Sequence, residues 1–475
     1  MLNQTIHFIK QFKYTYFSVI LAVSILLGLS NCRKENFLTE SSAKIEFSKD
    51  TIVFDTVFTT IGSTYKRFTV FNPQNSAISL SNIRLGKGTS SQFRINVDGV
   101  PGVNITDIEI PAKDSVYVFV EVTIDPTSGT NPFVVEDDIY FTLNGNTSNV
   151  HLAAWGQDAY FHYNELVCGE IWNDDKPHVL YGIVAVGFPG IDSNCVLTIN
   201  QGTKIYAHTD AVLYVYKSKL LVNGTQSSKV VFEGDRREPS FSNEPGQWFG
   251  IRFAIAQNSE ITHAVIKNGT VGIYADTAFG GSASGEFIKL RNVESYNHTY
   301  ASLFAQGAYI NAENCMFSRS GNNSVALRLG GNYYFNHCTI SNYWTKTTRT
   351  TPALVLNNYY VVGTTPNYRQ FDKAIFHNTI IYGNNDNEIT FDTIPGPSVN
   401  YLFNRNMVKT DQPTNGKFVG GFINVDPLFS SFSRLEISST SPAIDAADNN
   451  FLLFIDIDEN TRSNPADIGC FEYTP

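Results

Sequence analysis

The chain is poor in methionine, with 3 in 475 residues, and only 16% of its residues are charged, against about 25% in an ordinary globular chain. The low charge and scarce Met argue against amphipathic helices, whose exposed faces are built from Lys and Glu. The net charge is −10, and no stretch concentrates Lys and Arg, so there is no footprint for nucleic acid. Walker A, GxGxxG, HExxH and GxSxG patterns are all missing. The nearest approach, GGSASG at 280–285, lacks the flanking glycines at the required spacing and reads as a loop. No CxxC spacing occurs among the six cysteines, which removes the usual zinc signature. No metal or other cofactor is expected.

What is plentiful is Phe, Tyr, Val, Ile and Thr, the residues of strands, interleaved with Asn, Ser and Gly. The first 32 residues stand apart. Lys10 and Lys13 precede an apolar run, 16–30, that is too short and too near the start for a membrane span and reads as a secretory signal. Leu29-Ser30-Asn31-Cys32 resembles a bacterial lipobox, although Asn31 departs from the small residue usual before the cysteine. The resemblance implies that Cys32 is lipidated and that the membrane is a partner through this anchor. Residues 33–44 then read as a tether. The localisation this implies is that of an outer-membrane lipoprotein, facing the cell surface or the periplasm. Five cysteines remain in the exported part, so at least one is free, and Cys168 and Cys195 are the candidates for a disulfide.

From 45 to 158 the pattern is hairpins. Segments such as TIVFDTV, DSVYVFVEVTI and DDIYFTLNG alternate apolar and polar residues at period two, and turn signals such as Asn72-Pro73, Asp125-Pro126 and Asn144-Gly145 separate them. Short strands at this density predict a β-sandwich. The segment resembles the immunoglobulin-like domains that precede β-helices in lipoproteins of Bacteroidetes, which implies a spacer or binding module.

From 159 to 475 the chain repeats. THAVIKN, RNVESYN, ENCMFSR, HCTISN and HNTIIYGN align on His263, Asn292, Asn314, His337 and Asn378. The spacing points to a coil of about 22 residues, lengthened by insertions in the first and last intervals. The position after each anchor (Ala264, Val293, Cys315, Cys338, Thr379) is small or β-branched, which suits an inward row stacked from coil to coil. A polar ladder is the better explanation of the anchors than a metal site. This series resembles right-handed parallel β-helix proteins of the pectate-lyase-like fold. The expected fold class is therefore all-β: an N-terminal immunoglobulin-like β-sandwich followed by a right-handed parallel β-helix with a C-terminal closing segment. In that segment Asp456, Asp458, Asn460 and Asp467 imitate an EF-hand loop, but Thr461 stands where the loop needs Gly and Asp467 where it needs Glu. Asp426, Asp445, Asp456 and Asp467 read instead as turn caps that pair with Arg462 and backbone N–H groups.

The resemblance also implies a test for catalysis, because β-helix enzymes stack carboxylates on neighbouring coils. The acids between 261 and 384 are Asp276, Glu286, Glu294, Glu313 and Asp372, and they do not fall at matching positions. No catalytic residue is assigned. The insertion at 342–373 is the suggestive binding feature. Tyr343, Trp344, Tyr359, Tyr360 and Tyr368 crowd a Thr- and Asn-rich stretch whose rings suit stacking on sugars. The expectation is a non-catalytic glycan-binding or adhesive surface protein, with a polysaccharide or a cell-surface protein as partner. The alternative is a polysaccharide lyase or glycoside hydrolase of the parallel β-helix class.

Overall fold

The computed structural model describes residues 37–58, 62–125, 133–276, 288–412 and 414–474; Cys32 and the GGSASG stretch lie outside them. The chain is all-β, and among the described residues the only helical elements are three short 3-10 turns. The described residues divide into two compact units, the first drawn from 37–125 with 133–156 and the second from 157–474.

Beside a short antiparallel pair, Ile78–Leu80 with Ile108–Ile110, the first unit has two five-stranded sheets. One runs Glu46–Phe47, Lys66–Phe71, Ser115–Val122, Phe93–Val97, Val100–Gly102. The other runs Thr51–Phe58, Asn146–Gln157, Phe133–Leu143, Asn82–Leu85, Asn104–Ile105. Period-two alternation sends one row of each strand inward, as in Ser115–Val122, where Val116, Val118, Val120 and Val122 are buried. Rows from both sheets, including Phe68, Val118, Phe93, Ile52, Phe141 and Leu152, form one core.

The second unit is built from parallel strands in three columns. Ser259–Lys267 and Ile288–His298 each contribute to two of them, turning a corner midway. The corner residue is the anchor of the repeat. His263, Asn292, Asn314, His337 and Asn378 all hold φ between 46° and 53°, the left-handed region that Asn tolerates better than most residues. The register pairs the repeats as the motif spacing requires: Ala264 opposite Val293, Glu294 opposite Met316, Met316 opposite Thr339, and Thr339 opposite Ile380. The inward positions Ala264, Val293, Cys315, Cys338 and Thr379 are all fully buried. Cys315 and Cys338 are free thiols inside this core. The anchors bond to each other across rungs, His263 Nε2 to Asn292 Nδ2 at 2.7 Å and Asn378 Nδ2 to His337 Nε2 at 3.0 Å.

The C-terminal segment does more than close the last rung, because it lies as a strap across several of them. Asp448 accepts from Asn404 Nδ2 and its N–H donates to Asn378 Oδ1. Phe451 O accepts from Asn336, and Ile455 O from Asn314. Further along, Asp458 accepts from Gln226, and Glu459 lies 3.1 Å from His263. From Asp448 to Ile455, successive strap residues thus meet successive rungs in reverse chain order, and Asp458 and Glu459 reach earlier ones still. The return leg brings Gly469 N–H to Asn378 O and packs Ile457, Cys470 and Phe471 on Met316. Asp456 and Asp467 are buried turn caps: Asp456 accepts from the N–H groups of Asp458, Asn460 and Glu472, and Asp467 from those of Asp445 and Tyr473.

Candidate binding face

The eight-stranded column contains Ile183–Val186, Val212–Tyr216, Gly250–Ala254, Val271–Asp276, Ala301–Gln306, Asn323–Arg328, Leu354–Asn357 and Ile389–Asp392. Its inward row, with Leu213, Ile251, Phe253, Ile273, Leu303 and Val325, belongs to the core. Alternation therefore turns the intervening residues outward, and the register aligns them. Tyr214, Arg252, Tyr274 and Phe304 stand opposite one another on consecutive strands. A second outward row runs Asp276, Gln306, Arg328, Asn357, Asp392.

Apart from Asn357, which is buried, these side chains are half-exposed. The Arg252 guanidinium sits 5.7 Å from the Tyr214 ring and 5.1 Å from the Tyr274 ring, a geometry in which the cation meets two aromatic faces. Tyr274 packs edge-on against Phe304 at 5.1 Å and its hydroxyl accepts a 2.6 Å hydrogen bond from Gln306. Burial is the main reason that the phenols of Tyr214 and Tyr274 are held above their ordinary pKa, so both remain neutral donors. At one end of the row, Phe188, Pro189 and Phe249 wall a cavity of about 300 Å³ with Tyr214 and Arg252, at the lower limit of small-ligand sites. At the other end Asp392 accepts from Asn357 Nδ2 at 2.8 Å and from the Tyr359 hydroxyl at 3.0 Å.

The five aromatics of the insertion divide. Trp344 is buried, its indole N–H donating to Thr347 Oγ1 at 2.8 Å. Tyr343 packs 4.3 Å from Phe432 of the C-terminal segment. Both are held inward because Arg349, itself buried, pairs with the buried Glu388 and donates to Asn342 O, clamping the segment to the stack. Tyr359 is tied to Asp392 at the root of a two-stranded hairpin, Tyr359–Val362 with Thr365–Tyr368. Tyr360 and Tyr368 stand exposed on it, beside Val361 and Val362. The five therefore do not make one stacking platform. The row at Tyr214–Phe304 escaped sequence reasoning because single strands show only that a Tyr or Arg points outward. Which outward residues adjoin depends on cross-rung register.

Cys168 and Cys195 form a disulfide. Asp192 lies beside the two sulfurs, but both are bonded to each other, so the trio is not a thiolate metal site. Asp276 and Asp392 are the carboxylates of the outward rows. They are separated by four register steps, about 19 Å at the spacing of paired strands. A glycosidase needs its carboxyl pair within about 5–10 Å.

No protein-family model matches the chain, and no curated protein matches it. Among solved structures it is similar to a family 123 glycoside hydrolase from Clostridium perfringens, at 6% identity over 26% of this chain and 31% of that one, with a TM-score of 0.18. It is also similar to PapD-like domain 7 of human CEP192, at 10% identity over 27% of this chain and 96% of that one, with a TM-score of 0.18. The E. coli chaperone DraB matches at 9% identity over 24% of this chain and 55% of that one, with a TM-score of 0.17. The chain spans about a third of the hydrolase's length. At such TM-scores these likenesses carry no argument about function.

Proposed function

We propose that this is a lipid-anchored cell-envelope protein, with an immunoglobulin-like β-sandwich ahead of a right-handed parallel β-helix, that binds glycan on the outward face of the eight-stranded column. The observation that carries the reading is the aligned row Tyr214, Arg252, Tyr274 and Phe304 beside its cavity. Rings offer flat apolar faces to a sugar, and the guanidinium, Gln306 and the phenols offer hydrogen bonds to its oxygens. The anchoring part of the reading rests on Cys32 at the end of its apolar run.

The test is affinity electrophoresis of residues 33–475 in gels holding a panel of polysaccharides, with product analysis alongside. Retardation that falls on the order of tenfold in Tyr274→Ala and Arg252→Ala supports the reading. Retardation indifferent to both changes sinks this face as the site. New reducing ends or unsaturated products would turn the protein into an enzyme of the alternative class. Fatty-acid labelling of cells must fail in Cys32→Ala, and label that persists removes the anchor.

A further inference from the structure

The first unit carries a site of different character. On the sheet containing Ser115–Val122 and Phe93–Val97, alternation turns Phe119 and Glu121 of one strand, and Arg94 and Asn96 of the other, to the outside. Register places Phe119 opposite Asn96, Glu121 opposite Arg94, and Asn96 opposite Pro101 of the edge strand. With Tyr65 these residues line a cavity of about 690 Å³, within the range of small-ligand sites.

The polar groups are set in place before any ligand arrives. The Glu121 carboxylate beside Tyr65 holds its phenol above the ordinary pKa, so the ring stays a neutral donor. Arg94 Nη1 donates to the carbonyls of Ser91 and Phe93, which fixes the guanidinium. Asn96 Oδ1 accepts the Gly99 N–H at 2.9 Å, so its amide group points its donors elsewhere.

Ligand classes can be separated by charge and polarity. An anion would meet Glu121 and a cation would meet Arg94, since the two sit side by side across the strands. A wholly apolar ligand would strip water from Arg94, Asn96 and Glu121 without replacing its hydrogen bonds. A neutral ring with an apolar face and several hydroxyls satisfies all of them. The apolar face lies on Phe119 and Pro101, one hydroxyl donates to Glu121, and others accept from Asn96 and Arg94. We propose that this cavity is a second glycan site, specific for a neutral saccharide, and independent of the face on the parallel columns.

The experiment uses residues 33–475 carrying Arg252→Ala and Tyr274→Ala, so that the other face is silent, in gels containing dextran, laminarin, galactomannan or arabinoxylan. The expected result is retardation by at least one of the four that weakens about tenfold in Phe119→Ala and in Glu121→Gln. It should also persist unchanged in 1 M salt, because no net charge is recognised. Thermal melting is measured for each variant. Should Phe119→Ala melt early, Glu121→Gln, which keeps shape and volume, decides alone. Absence of retardation by all four, retardation indifferent to Glu121→Gln, or affinity that collapses with salt overturns the proposal. None of these outcomes touches the face at Tyr274, whose test is made without these two substitutions.

Discussion

Replacing Arg462 with Met should unlatch the strap. The side chain is fully buried. It donates to Asn314 Oδ1 at 2.9 Å, to Gly469 O at 3.0 Å and to Ile455 O at 3.3 Å, and pairs with Glu472 at 3.3 Å. Met keeps the apolar stem and removes every donor. Glu472 retains its N–H donors from Ser463 and Asp467 but loses its counter-charge, and the carboxylates of Asp456 and Asp467 lose the nearby cation as well. Breaking one side of a buried pair costs about 3–5 kcal/mol, and here the orphaned carbonyls put the cost at the upper end. Native-state amide exchange read by mass spectrometry resolves where that energy is lost. Peptides covering 448–473 should exchange at least a hundredfold faster, while those of the first unit stay as they are. The deficit should also shrink in mild acid. Burial raises the folded pKa of Asp467, so its charged form is disfavoured in the fold. Lowering the pH through that value returns stability, and more of it where Arg462 is missing. Acceleration below tenfold, or acceleration spread evenly over both units, would refute the strap as a latch.

Two further outcomes follow from groups inside the parallel unit. Burial pushes the pKa of His178 and of His298 down to about 3, from an ordinary 6.5. His298 is held neutral because its Nδ1 accepts the Gly269 N–H. Since the unfolded chain protonates first, the stability from these groups is whole above pH 6.5 and drains as pH falls towards 3. By pH 5 each has lost about 2 kcal/mol, and urea midpoints at pH 7.5 and 5.0 in wild type and His298→Gln should show a shallower slope in the variant. Gly250 holds φ at +133°, and a Cβ there would lie 1.6 Å from the carbonyl oxygen of Val271 on the next rung. Gly250→Ala should therefore cost more than about 3 kcal/mol in thermal melting, whereas Gly416→Ala, with open space around it, should melt like wild type. Equal melting of the two variants would count against the close rung contact.

The parts of the fold legible in sequence were those written locally. The anchors His263 to Asn378 recur at a spacing set by one circuit of the chain, and the same residues that mark the motif sit at the left-handed corner. Motif alignment and strand register therefore coincide. Hairpin alternation before 158 was legible for the same reason. What escaped depends on partners distant in the chain. Trp344 reads as a sugar platform in a Thr-rich stretch until Arg349 finds Glu388, 39 residues away, and draws the segment inward. The row Tyr214, Arg252, Tyr274 and Phe304 is spread over 91 positions and becomes a face only through register. The strap shows no period at all, because its residues follow the rise of the stack and not the path of a strand.

That rise gives the strap a second consequence. Its hydrogen-bonding groups are spaced to meet particular rungs, from Asn404 at one end to Gln226 at the other. Duplicating or deleting one coil within that span would shift every later pairing by about 4.8 Å and leave buried amides facing the wrong carbonyls. Stacked folds usually grow or shrink by whole repeats at little cost. Here the tail acts as a ruler that fixes the number of coils it spans, and variation in length is confined to loops such as the hairpin at 359–368.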